Sequence, residues 1–206
     1  MFPSVREGVR KYYIHAHSFI PKRRVEEHIK TDRVPYDIWI RQGLITVTET
    51  MGGVKTDYKY ILAYLQTVAK ALDLDVQFVC YDPHNASAFL SDLDALGYDS
   101  VAITQSAKAL NDATVDFRLE VESGNVEHDG NEMLAWSIAN AKTVSNSFGA
   151  IKIDKESQPE RIDPIDAIID AWTMAMKGEV KPDVNESVEM WLQMYEKSRA
   201  KKAERR

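Results

Sequence analysis

Apolar residues recur along this chain in two rhythms. Residues 11–19 (Lys-Tyr-Tyr-Ile-His-Ala-His-Ser-Phe) and 43–49 (Gly-Leu-Ile-Thr-Val-Thr-Glu) are dense in β-branched and aromatic side chains and predict strands. The polar connection between them carries Pro21, Pro35, Tyr36 and Trp39. From Asp57, a helix cap, the period lengthens: Tyr58, Ile61, Leu62, Leu65, Val68, Ala69 and Leu72 stand at helical spacing and define one buried face. Residues 75–81 read as a continuous apolar strand covered on both sides. The helical period returns over 85–96 through Ala86, Phe89, Leu90, Leu93 and Leu96 until Gly97 stops it, and a short strand follows at 100–104. Two strands, then helix, strand, helix and strand, is a mixed α/β order.

Further along, helices are predicted near 112–122 and 131–141, separated by Gly124 and the loop His128-Asp129-Gly130-Asn131. Residues 142–146 and 150–154 flank Ser147-Phe148-Gly149 and predict a hairpin. A helix over about 163–177 is closed by Gly178, with Pro182 beyond it, and a last helix over roughly 184–203 carries Val188, Trp191, Leu192 and Tyr195 before grading into basic residues. No repeat or low-complexity tract occurs. With 206 residues, 44% of them hydrophobic, the chain can bury one sizeable core. The expected organisation is one domain over 1–180 and a basic helical tail over 181–206.

The net charge of −6 and pI near 5.4 argue against holding nucleic acid by bulk electrostatics, because nonspecific affinity comes from cations displacing counterions. Any such contact is local. Two clusters qualify, Lys22, Arg23 and Arg24, and the tail Lys197, Arg199, Lys201, Lys202, Arg205 and Arg206, although such a cluster is more often solvated surface than a binding site. The single cysteine, Cys80, lies in an apolar run and has no disulfide partner, which fits a reducing compartment. No secretory signal pattern is present, and no apolar run approaches the roughly 20 residues of a membrane span.

The candidate chemistry lies in carboxylates. Asp82 follows the apolar strand, and ligand sites in α/β sheets favour the carboxyl ends of strands. A turn before Pro83 explains it as well. Asp163 before Pro164 suits a helix start, with capping as its bland reading. At 3.6 residues per turn Asp163, Asp166 and Asp170 fall within a strip about 60° wide, with Ile162, Ile165, Ile169 and Trp172 on the apolar face. Asp166 borders that face and Asp170 is farther out. Such like charges cost roughly 0.2–0.5 kcal/mol per pair unless a cation or solvent screens them. Acids from distant sequence meeting in this way suit one divalent metal site and phosphodiester chemistry. His128 is a proton-shuttle candidate or a surface-loop histidine, His15 and His17 share a strand face in a structural role, and Lys155 and Arg161 flank the acidic helix as phosphate contacts or surface cations.

An ordered set of residues adds to this reading: Val34-Pro35-Tyr36-x-x-Trp39-x-x-x-Gly43, Asp57-Tyr58-x-x-Ile61, Tyr81-Asp82-x-x-Asn85-Ala86, Leu96-Gly97, His128-x-x-Asn131, Trp136, Asn140, Lys155 and Arg161-Ile162-Asp163. Over about residues 2–177 it resembles the C-terminal nuclease domain of tailed-bacteriophage terminase large subunits. The resemblance implies an α/β, ribonuclease H-like fold: a mixed β-sheet flanked by helices, here with an additional β-hairpin and a C-terminal helix. It also implies two Mg²⁺ or Mn²⁺ ions held by acids, and cleavage of concatemeric double-stranded DNA in the infected host's cytoplasm. Asp82 matches the family acid ending the fourth strand, and Asp163 the acid opening the late helix. Asp166 falls where many relatives are apolar, so its metal role rests on the helical strip. The implied partners are double-stranded DNA, the portal, the small terminase subunit and the terminase ATPase domain.

The resemblance departs at the start. Relatives open this domain on a strand bearing a further catalytic aspartate, whereas Met1-Phe2-Pro3 resembles the segment just after it. No phosphate loop of an ATPase motor occurs. A fragment with weak or no activity of its own is the resulting expectation. Two rivals stand beside it: a nonenzymatic assembly module docking through the last helix, with Trp191, Leu192 and Tyr195 as its partner surface, and a resolvase-like nuclease for branched DNA.

Overall fold

The computed structural model of the chain describes residues 1–32, 34–49, 56–84, 86–154, 161–178 and 184–203. Strand β1 (Phe2–Arg6) turns through Glu7 and Gly8, both at positive φ (51° and 78°), into the antiparallel β2 (Val9–Ile14). Two left-handed residues match the right-handed twist of the flanking strands. The other edge of β2 pairs in parallel with β7 (Val126–His128), Tyr12 standing opposite Val126. A second parallel pair joins β3 (Ser18–Pro21) to β4 (Ile45–Thr48), and a third joins β5 (Val79–Tyr81) to β6 (Ser100–Ala102). Parallel neighbours require crossovers, and helices supply them here: α1 (Lys22–Asp32) and α2 (Tyr36–Arg41) within the first pair, α4 (Ser87–Ala95) within the second. The predicted hairpin is present as β8 (Thr143–Ser145) and β9 (Ile151–Ile153).

Caps start several helices. Asp57 accepts the Lys59 amide to open α3 (Tyr58–Ala71), Ser106 accepts that of Ala109 for α5 (Ala107–Glu122), and Asn131 accepts that of Leu134 for α6 (Glu132–Asn140). In α5 the buried residues Leu110, Ala113, Thr114 and Phe117 follow the i, i+3, i+4, i+7 rule. The central core gathers around α7 (Asp163–Ala175), whose Trp172 is fully buried with the Tyr12 ring centroid at 4.2 Å and that of Phe117 at 5.0 Å. A second cluster joins Phe2, Tyr13 and Leu72 to Val188 and Trp191 of α8 (Val184–Ala203). Tyr195 stacks on Trp191 at 6.0 Å. Val188 and Trp191 therefore pack on the chain's own sheet, and the docking surface assigned to this helix loses its central aromatic.

Three local readings change. The connection over 22–41 contains two helices, and α1 buries none of its residues, so no apolar stripe marks it. The strand read over 75–81 is limited to Val79–Tyr81, with Phe78 46% exposed. The strand read over 11–19 divides into Val9–Ile14 and Ser18–Pro21, and Phe2–Arg6 forms a further strand ahead of it.

Trp172→Ala is expected to lower unfolding free energy by roughly 3–5 kcal/mol in urea titrations, since the cavity would lie between β2, α5 and α7. A loss under 1 kcal/mol would show that the neighbouring rings do not depend on it.

Candidate active site

Asp82 is the first residue beyond β5, and its Oδ1 accepts the His84 amide at 2.9 Å. This local loop bond is the turn chemistry that aspartate favours, and it fixes where the carboxylate leaves the strand. The turn and strand-end readings of this residue are thus compatible.

The acidic helix packs directly on β5. Its boundary puts Ile162 at the cap, Asp163 at the first helical position and Pro164 next, so Asp163 does not cap its own helix. Ile162 has no side-chain acceptor to offer. The Ile165 amide instead donates to the fully buried Ser137 hydroxyl of α6 at 3.2 Å, and a neighbouring helix thereby caps α7. Asp166 and Asp170 are 6% and 5% exposed. Asp170 accepts Gln105 Nε2 at 2.8 Å, and its charge adds to burial in pushing the Cys80 thiol up to about 11. Cys80 is the middle residue of β5, so Asp170, read as the outermost acid of the strip, is set beside that strand. Its four-residue spacing from Asp166 was visible in the sequence; the strand that covers it was not.

Among the described residues, no three histidine, cysteine, aspartate or glutamate side chains converge as a metal-holding group. Asp82, Asp163 and Asp166 thus lie on two contacting elements without forming, by themselves, a closed ligand cage. A cavity of about 610 Å³ bounded by Ile14, Phe117, Leu134, Ile153, Ile165 and Ile169 touches none of the three and belongs to the apolar core.

Arg161 donates through Nε to Asp32 Oδ2 at 3.4 Å, so its charge faces a buried carboxylate as well as solvent. Lys155 lies outside the described residues. Lys22 pairs with Glu49 at 2.7 Å and Arg24 with Glu27 at 3.5 Å, so neighbouring acids answer both cations. His128 is exposed at the end of β7. His15 bonds Asp129 and the Tyr64 hydroxyl, each at 2.7 Å. His17 bonds Thr46 Oγ1 at 2.7 Å and stacks on the Tyr64 ring at 3.9 Å. These contacts tie α3 to the sheet.

Sheets of parallel and antiparallel strands flanked by helices, with an acid-bearing helix against a parallel strand, form the ribonuclease H-like arrangement of the terminase nuclease domain. Residues 3–179 match the family described as the endonuclease domain of the terminase large subunit, and the chain belongs to that family. It is 31% identical over 145 residues to the terminase large subunit of Enterobacteria phage HK97, covering 69% of this chain and 28% of that protein. Protein YmfN of Escherichia coli (strain K12) is 29% identical over 155 residues, covering 74% of this chain and 33% of YmfN. The crystal structure of the HK97 bacteriophage large terminase superposes with a TM-score of 0.69 at 27% identity, covering 82% of this chain and 34% of that one. The chain therefore spans about a third of the length of the proteins it matches.

Burial, with His15 nearby, lowers the His17 pKa from 6.5 to about 4. The unfolded chain takes this proton more readily than the folded one, so the stability involved is complete above pH 6.5 and is lost as pH falls through 6.5 towards 4. Urea midpoints between those limits are expected to fall more steeply for the native chain than for His17→Gln. Parallel curves would assign the acid sensitivity to other groups.

Proposed function

We propose that this chain is a divalent-metal-dependent endonuclease that hydrolyses concatemeric double-stranded DNA during phage genome packaging, with Asp82, Asp163 and Asp166 as its catalytic carboxylates. The observation that carries this reading is the packing of α7, with its run of acids, on β5, the strand that Asp82 leaves, in a chain of the terminase endonuclease family. Hydrolysis joins a water oxygen to phosphorus, breaks the bond from phosphorus to one sugar oxygen, passes a water proton to a base and returns a proton to the leaving oxygen. Carboxylates at a strand end and a helix start can orient that water and accept its proton. Mg²⁺ or Mn²⁺ bound there supplies phosphate charge neutralisation and a more acidic water. In this reading Asp82, Asp163 and Asp166 would supply part of the shell of two such ions. Its setting is the cytoplasm of the infected host, beside the portal, the small terminase subunit and the terminase ATPase domain.

Plasmid nicking with Mg²⁺ or Mn²⁺ tests the assignment. Asp82→Asn, Asp163→Asn and Asp166→Asn should each lose on the order of 100-fold in rate with folding preserved, and unbranched duplex should be cut at least as well as a four-way junction. Equal cleavage by all four proteins would remove these acids from the reaction, and strict junction dependence would make the chain a resolvase.

A further inference from the structure

Two sequence features that stand far apart, Val34-Pro35-Tyr36-x-x-Trp39 and Arg161-Ile162-Asp163, meet at one buried carboxylate. Asp32, the last residue of α1, has a side chain only 3% exposed. Its Oδ2 accepts the Tyr36 hydroxyl at 2.7 Å and Arg161 Nε at 3.4 Å, while Oδ1 accepts the Thr31 hydroxyl at 2.6 Å. Burial alone would push the Asp32 carboxyl up; the hydrogen bonds from Thr31 and Tyr36 and the Arg161 charge outweigh it and hold the group below its ordinary value. It is thus kept as an anion, the state that can grip a guanidinium.

Arg161 lies two residues before Asp163, in the segment that leads into α7. Tyr36 is fully buried, and the Asp163 charge reaches it strongly enough to help raise its hydroxyl pKa, after burial and Asp32. Tyr36 and Trp39 also pack in one cluster with Met133 of α6, the helix whose Ser137 caps α7. The start of α7 is therefore held from two sides: the Asp32 carboxylate grips Arg161, two residues before Asp163, and the Ser137 hydroxyl holds the amide of Ile165, two residues after it.

We propose that Asp32 is a positioning residue for the hydrolysis, acting through Arg161 to fix the Asp163 carboxylate where the reaction needs it. The proposal rests on the catalytic assignment of Asp163 given above. Neither Asp32 nor Tyr36 touches the reacting atoms in this account; they set the register of the backbone that carries Asp163. Arg161 meets the buried acid through its Nε–H, a donor within the planar guanidinium that lysine does not have.

The test combines two readouts on the full chain carrying Asp32→Asn, Arg161→Lys or Arg161→Met. Amide hydrogen exchange at Ile165 and Asp166, in the first turn of α7, should quicken about tenfold in each variant, while the amides of Ile169 to Trp172 stay protected. Nicking should fall about tenfold in kcat with little change in KM, and Arg161→Lys should not rescue it. If first-turn exchange is unchanged, or quickens equally along the whole helix, the clamp is refuted by a measurement that needs no activity. If exchange responds as expected but Asp163→Asn cleaves at the native rate, the clamp exists and the catalytic reading of Asp163 fails instead. Full activity of Asp32→Asn beside a dead Asp163→Asn would overturn the positioning role alone.

Discussion

The indole of Trp172 sets the rotation of the helix on which the proposed chemistry depends. It is entirely buried, with Tyr12 and Phe117 against it, and its Nε1–H is satisfied by Asp116 at 2.8 Å. With that ring turned inward, Ile165 and Ile169 on the same helical face must also point into the core, where both are found. The strip of Asp163, Asp166 and Asp170 then has no rotational freedom left. A helix free to roll would carry its acids to solvent; this one carries two of them into burial.

Burying carboxylates is costly, and well-packed apolar residues at such positions are often neutral or stabilising. Part of the cost is met locally. The N-terminus of α7 presents the positive end of the helix dipole to Asp163 and Asp166, both in its first turn, and Gln105 donates to Asp170. The same terminus cannot cap itself, because Ile162 precedes Asp163, and it depends on Ser137 of another helix and on the Asp32–Arg161 pair. Acids on a helix fixed so firmly, against the strand that leads into Asp82, are what a site needs in order to hold its groups still during reaction.

Much of this architecture was legible in the residues. The stripe of α3 with its Asp57 cap, the helical stretches of α5 and α6, and the hairpin around Ser147-Phe148-Gly149 follow rules that act within one segment. What escaped was set between segments. Helix α1 buries no apolar residue, and its one deeply buried side chain is the carboxylate of Asp32, so no apolar stripe announces it. The helical strip ranked Asp170 as outermost because a wheel knows only the helix; β5 and Gln105 cover that side. The acceptor for the Ile165 amide lies 28 residues away and could not be inferred from Ile162 or Asp163. Motif order was legible in Tyr36 and Arg161, but their meeting at Asp32 required the fold.

In the proposed reaction Asp82 and the acids of α7 serve one site. Paramagnetic broadening of backbone amides on titration with Mn²⁺ tests it most directly. The amides of His84, Asp163, Ile165 and Asp166 should broaden together at the same Mn²⁺ concentration, and Asp82→Asn or Asp163→Asn should abolish both effects at once. Separate broadening of the two segments, each surviving loss of the other's aspartate, would contradict it.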